Sequence, residues 1–313
     1  MILTVTLNAA LDVTYRVARL EPGTSHRVRE VVERPGGKGV NAARVLAALG
    51  HEAVVTGFAG GPVGERLREL LAEESATAAG SLRDAFTAVG GTTRRTTGVV
   101  ADSGDATQFN EPGPLIAPAE WERFLDGYGE LLRGADAVAL CGSLPPGVPV
   151  GAYGTLVRAA RAAGVPVVLD TSGEPLARGL AARPDVVKPN AEELAGLTGT
   201  TEPLRAARLA RRRGAHAVVA SLGADGLLAL TPEDAWRAEP PRRLTGNPTG
   251  AGDSVVAALL AGLVEELSWP DQLARATALS AATVRAAAAG EFDRAAYEEL
   301  LPGVRVTRQV AAA

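Results

Sequence analysis

With 313 residues, 46% of them hydrophobic and 22% charged, the chain has the composition of a folded globular α/β protein and not of a disordered one. Its 32 Lys and Arg stand against 36 Asp and Glu, a net charge of -4. That balance offers no basic surface to nucleic acid or to an anionic membrane, so any bound anion must meet a local cluster. One cysteine, Cys141, rules out a disulfide framework and implies a reducing compartment. No stretch approaches the ~18 uninterrupted apolar residues of a membrane helix. The expected location is cytoplasmic.

In chain order, "MILTVTLNAALD" alternates apolar residues as a buried strand does, with no basic segment of a signal peptide. Residues 11–35 are rich in Thr, Val and Arg with period two, which predicts hairpin-like strands outside the main sheet. "RPGGKGVNAARVLAALG" (34–50) puts glycines in front of a helix. Then "AVVTGF" reads as a strand and "PVGERLRELLAEE" as a helix. Residues 85–114 repeat the period-two pattern, predicting a second pair of outlying strands that could close over a site. "PAEWERFLDGYGELLR" and "PLRAARLARRR" have helical period, while "AVALCG", "VPVVLD", "DVVKPN" and "AVVAS" read as buried strands. This alternation predicts βαβ units on a mostly parallel sheet. The alanine-rich tail after Ala278 reads as helices and the terminal "RVTRQVAAA" as frayed.

The stretch with most chemistry is "GNPTGAGDSVVAALLAGL" (246–263). Glycines 250 and 252 permit a tight turn, and the helix that follows turns the N–H groups of Gly250, Ala251, Gly252 and Asp253 outward as an anion site. Asp253 has two readings. It is a helix cap, or it is a base that takes a hydroxyl proton while the amides stabilise charge on a transferring phosphoryl group. A second glycine turn carrying Lys38 and Asn41 suggests a two-substrate site; the plainer reading is a glycine-rich βα connection. Neither stretch fits the Walker A or GxGxxG pattern. His26, His51 and His216 are isolated and lack metal-ligand spacing.

Together "GGKGVNAARVLAALG", with Gly60 ten residues further on, and "NPTGAGDSVVAALL" resemble the two signatures of the PfkB (ribokinase-like) carbohydrate kinases. The likeness runs over nearly the whole chain. It is nearest the branch of 1-phosphofructokinase and tagatose-6-phosphate kinase, through "NEPGP", "GSLPPGVP", "VVLDTSGEPL", "KPNAEEL" and "SLGADGLLAL". The resemblance implies a single ribokinase-like domain, a three-layer α/β/α core of about nine mostly parallel strands with a small β lid. It also implies dimerisation through that lid, and transfer of the ATP γ-phosphoryl to a sugar hydroxyl with Mg²⁺. Asp253 would then be the base, with Gly250, Ala251 and Gly252 as the anion hole. Asp12, Gly36, Gly37 and Asn41 would line the sugar pocket. Lys38, aided by Arg27, Arg94 and Ser143, would hold a phosphate already on the acceptor. On the nucleotide side the resemblance implies Lys188, Asn190 and Glu193 near the phosphates, Glu193 acting on Mg²⁺ through water. Ser221, Gly223 and Gly226 would lie against the nucleotide.

Each position has a plainer reading: a turn aspartate for Asp12, a solvated lid side chain for each arginine, a turn hydroxyl for Ser143, a capped helix for Asn190 and Glu193, and a hairpin turn for 221–226. The chain departs from the branch at Ala9, where proline is usual, and at Thr96, where the lid usually has asparagine; residues 71–86 fit poorly and receive no role. The expected acceptor is a ketohexose monophosphate, fructose 1-phosphate first, with tagatose 6-phosphate or fructose 6-phosphate as alternatives. A non-catalytic sugar-phosphate or nucleotide sensor is the reading of another class.

Overall fold

The computed structural model describes residues 1–309; Val310 to Ala313, the end of the stretch read as frayed, lie outside the described residues. The first third forms β1 (Ile2–Thr6), β2 (Ala10–Val17), β3 (Glu30–Gly36), α1 (Lys38–Ala48), β4 (Glu52–Ala59), α2 (Gly61–Ser75), β5 (Ser81–Asp84), β6 (Thr87–Ala88), β7 (Arg94–Ala101) and β8 (Ala106–Asn110). There follow α3 (Pro118–Leu132), β9 (Ala137–Cys141), α4 (Ala152–Ala162), β10 (Val167–Asp170), α5 (Gly173–Leu180), β11 (Val186–Val187), α6 (Ala191–Thr198), α7 (Pro203–Arg212) and β12 (Ala217–Ser221). The chain closes with β13 (Leu227–Leu230), β14 (Ala235–Glu239), α8 (Ala251–Val264), α9 (Trp269–Thr283), α10 (Arg294–Leu300) and β15 (Arg305–Gln309).

The main sheet has eleven strands, in the order β15-β14-β13-β12-β11-β10-β9-β1-β4-β5, with β6 beside the end of β4. It is parallel from β5 through β12 and antiparallel from β12 to β15. Successive residues of one strand face opposite layers. Ala137, Ala139 and Cys141 of β9 pack towards α1, α8 and α9, whereas Val138 and Leu140 pack towards α3, α4 and α7. Burial on both faces is why these strands read as unbroken apolar runs.

Outside this sheet, β3-β2-β7-β8 form a four-stranded lid. Two antiparallel hairpin pairs, β2 with β3 and β7 with β8, are joined by parallel pairing of β2 with β7. The N-terminal run is therefore two strands and not one: the chain leaves the core at Leu7 to Ala9 and enters the lid at Ala10. The second outlying stretch also divides, since Thr87 and Ala88 pair with the core strand β4 and the lid begins at Arg94. Arg305–Gln309, read as frayed, instead pairs with β14 along its full length. No helix among the described residues is long and apolar enough to cross a membrane.

The sheet order reverses at β1, whose neighbours β4 and β9 are reached by crossovers in opposite directions. In open α/β sheets the crevice beyond the carboxyl ends at such a point is where ligands bind.

Candidate active site

The carboxyl ends of β1, β9 and β10, the N-termini of α1 and α8, and the base of the lid converge at this crevice. At α8 the cap is Gly250, held at φ +87°. A Cβ there would lie 2.7 Å from Ala289 Cα, so both the backbone angle and the packing require glycine. Asp253 is the third residue of the helix, and no side chain caps this N-terminus. Its carboxylate instead accepts a hydrogen bond from Asn41 Nδ2 at 2.8 Å, across from α1. The capping reading of Asp253 therefore fails on position. Of the backbone amides, that of Ala251 donates to Pro248 O and is not free for a ligand, while those of Gly252 and Asp253 have no acceptor within the helix.

Asp253 is buried, at 7% exposure. Burial, then the nearby charge of Asp170, push its pKa up to about 7, against the opposing pull of Asn41, Lys38 and Lys188. Asp170, at the end of β10, is itself buried; its Oδ1 accepts from Lys38 Nζ at 3.2 Å and lies 3.5 Å from Lys188 Nζ. Its Oδ2 is buried without a hydrogen-bond partner. Lys38, the first residue of α1, also reaches within 3.9 Å of Glu193 Oε1. Burial disfavours the Lys38 ammonium, but Asp170, Glu193 and Asp253 outweigh it and raise its pKa. Lys188 stands beside the anion turn: a Cβ on Gly252 would lie 3.4 Å from its Nζ.

On the acceptor side a cavity of about 830 Å³ is lined by Asn8, Gly37, Lys38, Arg94, Glu111, Ser143 and the loop after β9. Arg94 donates to the carbonyls of Asn8 and Glu111 and to Thr96 Oγ1. Asp12 belongs to the lid strand β2, next to Thr96 in the β2/β7 register. Burial raises its pKa to about 6, opposed by Arg94, by a hydrogen bond from Thr96 and by Arg44. Thr96 thus contacts the carboxylate where the branch has asparagine. Gly36 makes room for that carboxylate, since a Cβ there would fall 2.2 Å from Asp12 Cγ. Ser143 Oγ accepts from Asn8 Nδ2. Arg27 belongs elsewhere: it lies in the connection between β2 and β3, is exposed, and does not line the cavity, so the expectation that it sits on a lid strand facing the acceptor is corrected for the single chain.

A second cavity, of about 390 Å³, is lined by Gly223, Gly226, Pro240, Gly246, Ala251, Thr277 and Val284, among others. It reaches the N-terminus of α8 at Pro248 and Ala251. Asn190 and Glu193 form a reciprocal capping box at the start of α6, with Asn190 Oδ1 accepting from Glu193 N and Glu193 Oε2 from Asn190 N. The plainer reading of this pair is thus present in the geometry, with Glu193 Oε1 left directed at Lys38. Ser221 bridges to Asn190 in parallel fashion at the end of β12. Asp170 and Asn8 carried no role in the sequence reading, although both stand in quoted motifs.

The architecture, a mixed open sheet with a β lid over a buried carboxylate at a helix N-terminus, is that of the ribokinase-like fold. The solved structure of Arabidopsis thaliana ribokinase matches it with a TM-score of 0.73 at 22% identity, over 96% of this chain and 98% of that one. The profile of the pfkB family carbohydrate kinases matches residues 4–295, and the chain belongs to that family. It is a phosphotransferase of the phosphofructokinase-like kind. Escherichia coli phosphofructokinase-2, in complex with fructose-6-phosphate, matches with a TM-score of 0.86 at 29% identity, over 96% of this chain and 98% of that one. A Thermotoga maritima protein described as a possible 1-phosphofructokinase matches with a TM-score of 0.84 at 27% identity over 99% of both chains.

Proposed function

We propose that the protein transfers the γ-phosphoryl group of ATP to a hydroxyl of a ketohexose monophosphate, with fructose 1-phosphate giving fructose 1,6-bisphosphate. The observation that carries this reading is the position of Lys38. It lines the acceptor cavity with Arg94 while its ammonium stands in the same charge cluster as Asp253. An acceptor phosphate held at the start of α1 would therefore stand beside the base and anion turn at the start of α8.

In this reading Asp253 takes the proton of the attacking hydroxyl. The freed oxygen pair forms a bond to the γ-phosphorus, the bond to the β,γ-bridging oxygen breaks, and ADP leaves. A base with a pKa near the working pH suits the role. The amides of Gly252 and Asp253 meet the developing charge, and Lys188 beside them adds a cation. Asp12 and Asn8 orient the sugar hydroxyls; Arg94 and Ser143 join Lys38 at the acceptor phosphate. The nucleotide lies along the cavity bounded by Gly223, Gly226 and Ala251, beyond Ser221.

Kinases of this family use ATP with a divalent metal, and the donors present fit Mg²⁺. The unpartnered Oδ2 of Asp170 and, through water, Glu193 would hold it, and bound there it would supply positive charge to the phosphates. Exposed Val31 and Phe109, on lid strands, support dimerisation through the lid, and the composition supports a cytoplasmic enzyme.

A second reading, a 6-phosphate acceptor, is favoured by the likeness to the E. coli enzyme that binds fructose-6-phosphate. The test is ADP release from Mg-ATP against fructose 1-phosphate, fructose 6-phosphate, tagatose 6-phosphate and fructose, compared as kcat/KM. Highest kcat/KM with fructose 1-phosphate supports the first reading, and a 6-phosphate preference moves the protein to the second. Reaction with fructose alone overturns the role given to Lys38, and no ADP release with any of them overturns the kinase reading.

A further inference from the structure

Beyond the groups that touch the substrates, the anion turn is braced by a segment far away in sequence. Residues 284–291 follow α9 and run against the 246–250 turn at both ends. Asn247 N donates to Val284 O at 2.9 Å, a Cβ on Gly246 would fall 2.0 Å from that same carbonyl oxygen, and a Cβ on Gly250 would strike Ala289. The position of Gly250, and with it the aim of the amides after it, is therefore set by where 284–291 lies.

That brace is fastened by charge. Arg44 of α1, at 5% side-chain exposure, donates from its guanidinium to Ala289 O at 2.7 Å and packs so closely on Gly290 that a Cβ there would lie 2.4 Å from it. The same guanidinium meets Glu291 Oε1 at 3.4 Å and pairs with Glu74 of α2. Glu291 Oε1 also accepts from Arg34 Nε at 3.0 Å. Arg34 is a residue of the lid strand β3, opposite Asp12 in the β2/β3 register and two residues before the Gly36 that gives the Asp12 carboxylate its space. One carboxylate oxygen thus joins a lid arginine to a core arginine, and the core arginine holds the loop under the anion turn. Arg44 lies on α1 three residues beyond Asn41, which holds Asp253, and six beyond Lys38, so one stripe of that helix serves the acceptor anchor, the base and the brace.

We propose that Glu291 is a positioning residue that couples the lid to the anion turn, so that seating a sugar phosphate under the lid orders residues 284–291 and fixes the amides that receive the transferring group. The proposal rests on the phosphotransfer reading above. A carboxylate shared by two guanidinium groups has two discrete arrangements, bridging or bound to Arg44 alone, which is the bistable element that coupling requires.

The experiment is hydrogen–deuterium exchange of the full chain, with fructose 1-phosphate and with fructose 6-phosphate, on wild type, Glu291→Gln and Arg34→Gln. In the wild type an acceptor should slow exchange both in lid peptides covering 30–36 and in peptides covering 246–252 and 284–291. In both variants the lid response should persist while the response of 246–252 and 284–291 is lost. In step with this, kcat should fall about five-fold or more, with the acceptor KM changed less than about two-fold, the signature of an interaction needed after binding. A residue serving stability alone would raise exchange in free and bound protein alike and leave the ligand-induced difference intact. That outcome, or a wild type whose lid responds while 284–291 does not, overturns the coupling alone. A wild-type lid that responds to neither sugar phosphate overturns the functional reading and the coupling with it.

Discussion

Replacing Asp253 by Asn separates what the carboxylate does for the reaction from what it does to the fold. The Asp253 pKa is raised from 3.8 to about 7 by burial and by Asp170. Between those values the folded chain keeps a proton that the unfolded chain has released, so stability falls as pH rises through that window. At ~1.4 kcal/mol per unit, holding the group ionised costs the fold at most about 4 kcal/mol above pH 7 and nothing below about pH 4. Asp253→Asn keeps the size and an acceptor for Asn41 Nδ2 but carries no charge. Its Tm should exceed that of the wild type by several degrees at pH 8, and the gain should shrink towards zero as the pH is lowered to about 4. At pH 8 kcat should fall at least ~10²-fold, as for a lost general base, and the deficit should narrow below the Asp253 pKa, where the wild type is itself protonated. Scanning calorimetry against pH, together with ADP release, measures both. Near-normal kcat refutes the base; a Tm that is unchanged, or raised equally at both pH extremes, refutes the argument from burial.

Lys38→Ala should raise the KM for the phosphorylated acceptor far more than the KM for ATP, and equal rises would refute the acceptor-phosphate role. Gly36→Ala puts a methyl group where the Asp12 carboxylate lies, so acceptor affinity should drop at least ~10-fold while binding of ATP, measured by calorimetry, changes little; unchanged acceptor binding would remove Asp12 from the site. Because burial raises the Asp12 pKa to about 6, and a protonated carboxyl loses an acceptor for sugar hydroxyls, the acceptor KM should climb as pH falls below that value. A flat KM from pH 8 to 5 would contradict this.

The sequence legibly carried those residues whose chemistry lies in local spacing. Glycines 250 and 252 before an apolar helix announced the anion turn, and Lys38 and Asn41 stood out in a glycine turn of the same kind. Asp170 did not, because "VVLD" is how many buried strands end, and its meaning comes from Lys38 and Lys188, brought to it by the fold. The pairing of Arg34 with Glu291 spans 257 residues and leaves no trace in local pattern. Arg27 was drawn to the site by its place in a period-two stretch, yet the turn between β2 and β3 carries it into solvent. The strand β15 was missed because "RVTRQ" is an edge strand with mostly exposed, polar side chains, whose pairing partner β14 is distant in sequence.

The charge arrangement around Asp253 explains why a strand-end aspartate matters to a base on another helix. Three carboxylates, Asp170, Glu193 and Asp253, share two ammonium groups in a space closed to solvent on most sides. The charge of Asp170 raises the Asp253 pKa, while Lys38 and Lys188, the partners of Asp170, lower it. Asp170→Asn removes the one neighbouring charge that raises the Asp253 pKa while leaving both lysines in the cluster, so that pKa should fall. The acid limb of the kcat profile should then move to lower pH, by about one unit or more. The limb's midpoint is independent of its height, so it remains readable even if loss of the Asp170 carboxylate also weakens divalent-metal binding and lowers the plateau. ADP release measured from pH 5 to 9 at saturating substrates gives the midpoint. A limb that stays in place, or moves upward, would mean that Asp253 is not the titrating base or that Asp170 does not govern it.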